Sequence, residues 1–330
     1  MKEVYSMKLV AKKEKGNEFR QPVLSKDRVA HFWRNVFRNR YLYLLMLPAI
    51  VHLVMFEYSA MYGITLAFKE FHAKLGITHS PWIGFKHFEG MFTDPYFRTV
   101  LLNTIKISFG RIIFEFPMGI IIALCFNEIK SARLKKTLQT AYTFPHFLSW
   151  VIVSGVVLNF LNYNGPLNTI IDALGGERQI FMGNKKLIVP ILYITDIWKE
   201  SGWGSIIYIA AITGINHELY EAADLDGATS LQKIWHVTLP CIRGTILVML
   251  TLRVGSVLNA GFDQIFNMSN SIVQQTIDIL DTYIYRITFQ QAPDFSYSTA
   301  VGLFKSAIGF VMVMIVNKVT QKLEGTGILD

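Results

Sequence analysis

Residues 217–240 concentrate the charged chemistry of the chain: Glu218, Glu221, Asp224 and Asp226 stand against a single base, Lys233. Four acids this close raise the question of acid–base or metal chemistry, but no His/Asp arrangement of ligand spacing accompanies them. Their neighbours point to a docking surface instead. Leu219, Ala222 and Ala223 form one apolar stripe, and Leu231, Ile234 and Trp235 another. Gly227 stands between them, a residue that accepts positive φ, and Pro240 closes the segment. The pattern predicts two short helices at an angle, too polar to span a bilayer and too regular for a plain linker.

Ionisable residues inside apolar runs form a second set: Lys106, Arg111, Glu115, Asp196, Lys199, Glu200, Arg253 and Lys305. An Arg, Lys or Asp at the centre of a membrane helix costs about 2.5–3.5 kcal/mol on insertion scales, so such groups must face protein or a water-filled path. Arg111 and Glu115 are four apart, a spacing that allows them to pair on one helix face. Trp198, Trp203, Ser256 and Asn259 add aromatic faces and hydrogen-bonding groups of the kind that bind sugars. His72, His79 and His87 have gaps matching no common metal motif, and Cys125 and Cys241 are isolated, so neither a metal centre nor a disulfide framework is expected. The sequence holds no G-x-x-x-x-G-K-[ST], hence no phosphate-binding loop.

The elements that carry these residues are membrane helices. Of 330 residues, 52% are hydrophobic and only 17% charged, with a mean hydropathy of +0.34. That charge deficit excludes disorder, a coiled coil and most soluble enzymes. Six apolar runs are long enough for a core about 30 Å thick: residues 41–60, 100–126, 143–161, 187–214, 242–262 and 299–317. The first begins 40 residues in and lacks a small-residue cleavage site, unlike a signal peptide. Segments placed inside by six spans carry 18 Lys+Arg in 90 residues, and those outside carry 8 in 96. The positive-inside rule therefore puts both termini in the cytoplasm of a plasma-membrane protein. The net charge of +8 reads as this topology signal rather than as a nucleic-acid surface. Val29, Phe32, Trp33, Val36, Phe37 and Tyr41 fall at helical spacing among arginines, as in a helix lying on the inner leaflet. Two regions follow: a basic tail, 1–40, and a six-span domain, 41–330, that includes the loop at 217–240.

Glu221-Ala222-Ala223, three residues, Gly227, nine residues, Val237, one residue and Leu239-Pro240 resemble the EAA loop of permease subunits in binding-protein-dependent ABC importers, which usually have isoleucine at the place of Val237. Ser80-Pro-Trp-Ile-Gly-Phe-Lys-His-Phe88 and Tyr297-Ser-Thr-Ala-Val-Gly-Leu-Phe-Lys305 resemble sugar permeases of the maltose-transporter type. Phe144-Pro-His-Phe-Leu-Ser-Trp150 and Ile197-Trp-Lys-Glu-Ser-Gly-Trp203 resemble a branch serving alginate, oligogalacturonide and rhamnogalacturonide fragments.

The resemblance implies an all-α, six-helix type I importer permease that does no covalent chemistry. Its implied partners are a second permease subunit, two ATP-binding subunits that hold the nucleotide, an extracellular solute-binding protein and an oligosaccharide. Glu221, Ala222, Ala223, Asp224, Gly227, Leu239 and Pro240 would then form the surface gripped by the ATPase. Positions lining the maltose-type sugar site fall on Trp203, Arg253, Ser256, Val257 and Ala260; with Trp198, Glu200 and Asn259 they make the expected substrate path. A guanidinium such as Arg253 suits a uronate carboxylate, and equally an ion pair between two helices. The competing expectation is an ion-gradient-driven secondary sugar transporter, which predicts an inverted repeat with broken helices in both halves. No such repeat is visible.

Overall fold

The computed structural model describes Arg34, residues 37–290 and residues 293–324. Val29, Phe32, Trp33 and Val36 of the expected interfacial helix lie outside the described residues. The chain divides into two compact units, Met1–Gly63 and Ile64–Asp330.

In the first unit, helix α1 (Arg40–His52) continues through a π-helical stretch, Leu53–Tyr58. It is apolar on all sides and none of its residues is buried, as expected of a helix whose solvent is lipid.

In the second unit the longest element is α2 (Pro95–Glu128, 34 residues). Asp94 starts it, accepting the Tyr96 N–H at 2.8 Å, and Pro95 occupies the first turn, where a missing N–H costs nothing. α3 (Ala132–Thr143) and α4 (Trp150–Phe160) follow, then α5 (Ile188–Thr213), α6 (His217–Leu225), α7 (Ser230–Lys233) and α8 (Leu239–Gly255). The short α9 (Phe262–Met268) and α10 (Leu280–Tyr285) precede the last long helix, α11 (Phe295–Glu324). α2 and α5 pack together around Ile107, Ile188 and Leu192, and nearer their C-terminal ends around Ala123, Tyr208 and Ile212. Met91, Phe97, Leu280 and Val301 form a third core at the N-terminal end of α2.

The span count departs from the expectation of six. Among the described residues, four helical stretches combine the length and apolarity to cross a membrane: Arg40–Phe68, Pro95–Glu128, Ser230–Gly255 and Phe295–Lys322. A fifth is reached only by joining Ala132–Phe147 to Trp150–Phe160, which are bent by 99°. The straight third span expected over 143–161 is therefore absent. A 3-10 turn at Phe144–Phe147 and a new N-cap, Ser149 accepting the Ile152 N–H, break it, and the 11 residues of α4 rise only about 16 Å. The fourth expected span, α5, has 26 residues but falls short on charge, because Asp196, Lys199 and Glu200 lie at its centre.

Two boundaries also move. Pro240 does not end the loop. The widened π turn Ile234–Thr238 lets the chain run from α7 through Leu239 and Pro240 into α8 without interruption. At its other end α8 stops at Gly255, short of the expected 262, and residues 256–261 are irregular.

Candidate functional site

The loop expected to couple is an exposed helix–turn–helix. The Asn216 side chain caps α6 by accepting the Glu218 N–H at 3.1 Å. After Leu225 the chain reverses at Gly227, φ +72°, and the Ala228 N–H closes the helix end on the Ala223 carbonyl at 2.9 Å. Thr229 and Gln232 form a reciprocal capping box that starts α7. Lys233 donates to Asp224 at 2.7 Å and Tyr220 pairs with Thr238 at 2.9 Å, so the two helices are braced. Glu221, Ala222, Asp224 and Pro240 are exposed, Ala223 and Leu239 half-buried. Leu225, 90% exposed, and Leu231 and Trp235, both above 65%, leave an apolar surface that water alone would disfavour.

Because α7 runs unbroken into α8, Leu231 and Trp235 of this surface share one rod of 26 residues, about 39 Å long, with Arg253. Arg253 ends that rod on Glu115 of α2, an ion pair between helices. The pairing of Arg111 with Glu115 anticipated from their spacing does not form. Arg111 turns instead to Asp196 of α5, 3.3 Å away, and donates to Gln264 of α9. Gln264 donates to the Leu192 carbonyl and to Thr195, each at 2.8 Å. Two guanidiniums thus face two carboxylates in a polar spine that joins α2, α5, α8 and α9. Gly261, φ +83°, lets the irregular 256–261 segment lie against the Arg111 guanidinium, which would overlap a Cβ there.

A cavity of about 270 Å³ opens beside this spine. Glu115, Glu200, Ser201, Tyr208, Arg253 and Ser256 line it, so three of the expected path residues, Glu200, Arg253 and Ser256, come together. The others do not. Trp198 lies on a different wall of α5, facing an apolar groove with Val153, Phe160 and Ile194. Trp203 stacks on His146 with centroids 4.5 Å apart. Val257 and Ala260 are buried, and Asn259 is exposed in the irregular segment, away from the cavity.

Glu200 is held by two partners, His146 Nδ1 at 2.6 Å and Lys199 Nζ at 2.7 Å. Lys199 also donates to the His146 carbonyl at 2.9 Å and sits over the Trp150 ring. This cluster ties the bend between α3 and α4 to α5. Glu115 as the partner of Arg253 escapes sequence reasoning, since the two stand 138 residues apart.

At the N-terminal end of α2, Arg286 lies over the rings of Tyr96 and Tyr283 and donates to Asp278 at 2.5 Å. Burial, then its bonds with Tyr297 and Asp94, push the Tyr283 phenol up, so it keeps its proton at physiological pH.

Residues 115–325 match the family described as "Binding-protein-dependent transport system inner membrane component". Two Bacillus subtilis (strain 168) proteins are each 39% identical. Protein LplB aligns over 93% of this chain and 96% of its own length. The polygalacturonan/rhamnogalacturonan transport system permease protein YteP aligns over 93% and 95%. A solved bacterial ABC transporter involved in import of the acidic polysaccharide alginate contains a chain 38% identical, with a TM-score of 0.83, covering 89% of this chain and 99% of that one. The polar spine, the exposed helix–turn–helix and this match agree: the chain belongs to the binding-protein-dependent transport system inner membrane components, and is a multi-pass, non-enzymatic permease subunit of an ATP-driven ABC importer.

Proposed function

We propose that this chain forms half of a translocation path for a complex, acidic oligosaccharide and takes its movement from ATPase subunits that grip residues 217–240. The observation carrying this is the rod Ser230–Gly255, which bears the exposed Leu231 and Trp235 at one end and the Arg253–Glu115 pair, beside the cavity, at the other. Closure of an ATPase dimer displaces the gripped end. A helix moves as a stiff body, so Arg253 is carried with it and the spine must rearrange.

On this reading Glu221 makes the polar contact to the ATPase. Ala222 and Ala223 keep the approach close, and Asp224 and Gly227 set the angle between the helices. Leu239 and Pro240 pass the motion into α8. Arg253 receives a sugar carboxylate, with Glu200 and Ser256 on the hydroxyls, while Trp198, Trp203, Val257, Asn259 and Ala260 join the path as the helices shift. The working unit comprises a second permease chain, two ATPase subunits and an extracellular solute-binding protein.

With the bent pair Ala132–Phe147 and Trp150–Phe160 taken as one span, α5 completes six. Its charges are neutralised by Arg111 and within the Lys199–Glu200–His146 cluster, which removes the main cost of placing them in lipid. Six spans, with the Lys+Arg bias, support a topology in which both termini and residues 217–240 are cytoplasmic and 1–40 is a basic tail before the permease domain. The acidic substrate class is supported by the similarity to YteP, of a polygalacturonan/rhamnogalacturonan transport system, and to the alginate importer.

The test is co-expression with the ATPase and second-permease subunits, followed by purification and ATPase assay. The wild type should co-purify as a complex whose ATPase responds to liganded binding protein, and Glu221→Ala should weaken that response at least severalfold. Purified chain importing sugar alone on an ion gradient would overturn the proposal.

A further inference from the structure

A second cavity, of about 700 Å³, opens far from the Arg253 pocket and is lined by Tyr96, Lys185, Gln274, Gln275, Tyr283 and Arg286. Tyr96 lies at the start of α2, whereas Lys233 of the coupling loop lies near Glu128 at the end of α2, so about 48 Å of helix separate the two regions. With residues 217–240 in the cytoplasm, as proposed above, the cavity opens at the outer mouth.

We propose that this cavity is a first binding site for a carboxylate-bearing sugar residue, which receives an acidic oligosaccharide before it reaches Arg253. Arg286 is preset for an anion. Its hydrogen bonds run from Nη2 alone, to Asp278 at 2.5 Å and the Tyr96 hydroxyl at 3.3 Å, which leaves the donors on Nη1 and Nε for a ligand. The flanking tyrosine rings hold its plane, so little freedom is lost when a carboxylate arrives.

Charge favours an anion as well. Lys185 has no acidic partner among the described residues, and Asp278, the one carboxylate on Arg286, is buried behind it and does not line the cavity. The two cations therefore carry a surplus of one positive charge. The amides of Gln274 and Gln275 and the hydroxyl of Ser271 both donate and accept, as sugar hydroxyls require. Ile272 and Ile287 are the aliphatic side chains of the lining, too little apolar surface for an acyl chain, which argues against a lipid occupant.

The walls are fixed in advance. Asn270 donates to the Met182 carbonyl at 2.7 Å, tying the loop that bears Lys185 to the strip that bears the glutamines. Asn103 of α2 donates to the carbonyls of Gln275 and Asp278, at 2.9 and 3.2 Å.

The experiment uses the full complex with its binding protein in proteoliposomes of zwitterionic lipid. Acetylation of Lys185 by a membrane-impermeant amine reagent is followed by mass spectrometry, and uptake is measured in parallel. Tetragalacturonate should slow acetylation at least threefold and its methyl-esterified, uncharged counterpart should not. Lys185→Ala should raise the concentration for half-maximal tetragalacturonate uptake about 3- to 10-fold. Equal acetylation with both sugars, or uptake unchanged in Lys185→Ala, would overturn the site, as would protection by anionic-lipid vesicles in place of the sugar. Import of tetragalacturonate without Lys185 protection refutes this inference and leaves the proposed function standing; protection without import does the reverse.

Discussion

The Arg253 guanidinium at the end of α8 is bound to the Glu115 carboxylate of α2, and both line the same cavity. Arg253 is the more accessible partner, with 37% of its side chain exposed against 13% for Glu115. A carboxylate entering the cavity meets an arginine that already holds one. On the proposed function, transport of an acidic sugar requires Glu115 to yield Arg253, and the motion of the α8 rod supplies the occasion.

Arg253→Ala should lower uptake of tetragalacturonate about 10-fold or more, the worth of one charge-assisted hydrogen bond at about 1.5–3 kcal/mol, while the subunits still co-purify. Since Glu115 is then left without that partner, Arg253→Ala/Glu115→Gln serves as the companion variant. It should assemble as the wild type does and remain poor at uptake. Loss of assembly in both would make the pair a strut and nothing more.

Asp196→Ala should cost about 3–5 kcal/mol of stability, because it strands the buried Arg111 charge within the bundle. Thermal unfolding in detergent, read by loss of the helical circular-dichroism signal, measures the loss. A midpoint equal to that of the wild type would show that Arg111 does not depend on Asp196.

Two of the glycines at positive φ, Gly227 and Gly261, should respond differently to alanine. At Gly227, φ +72°, nothing lies within 4 Å of the added carbon, so the cost is backbone strain alone, about 1–2 kcal/mol. At Gly261, φ +83°, the same strain is joined by overlap with Arg111. Gly261→Ala should therefore lower the unfolding midpoint further than Gly227→Ala, and a reversed order would contradict the packing described.

What was readable from the sequence follows the range of the forces involved. The helix–turn–helix at 217–240 was legible because its determinants are local: apolar stripes at helical spacing and a glycine at the reversal. The break at 144–149 was hidden inside an apolar run, although Pro145 and the Ser149 cap are its local marks. Pro240 misled in the opposite direction, since a π turn before it absorbs the missing N–H and the helix continues. The spine was legible only in part. That Arg111, Glu115, Asp196 and Arg253 must face protein or a water-filled path was plain from their apolar surroundings, yet the four-residue spacing of Arg111 and Glu115 suggested one partnership where the fold makes two others across distant helices. Glu200, Arg253 and Ser256 meet because α5 and α8 both lean on α2, a tertiary fact that no spacing encodes.

The most direct test of the account is the sidedness of the coupling surface. Leu225→Cys, in a chain with Cys125→Ser and Cys241→Ser, is treated with a membrane-impermeant maleimide in intact cells and in inside-out vesicles, with and without the ATPase subunits. Labelling should occur only in inside-out vesicles and should fall when the ATPase is assembled. Labelling of intact cells from the external medium would contradict the coupling of this loop to an ATP-driven partner.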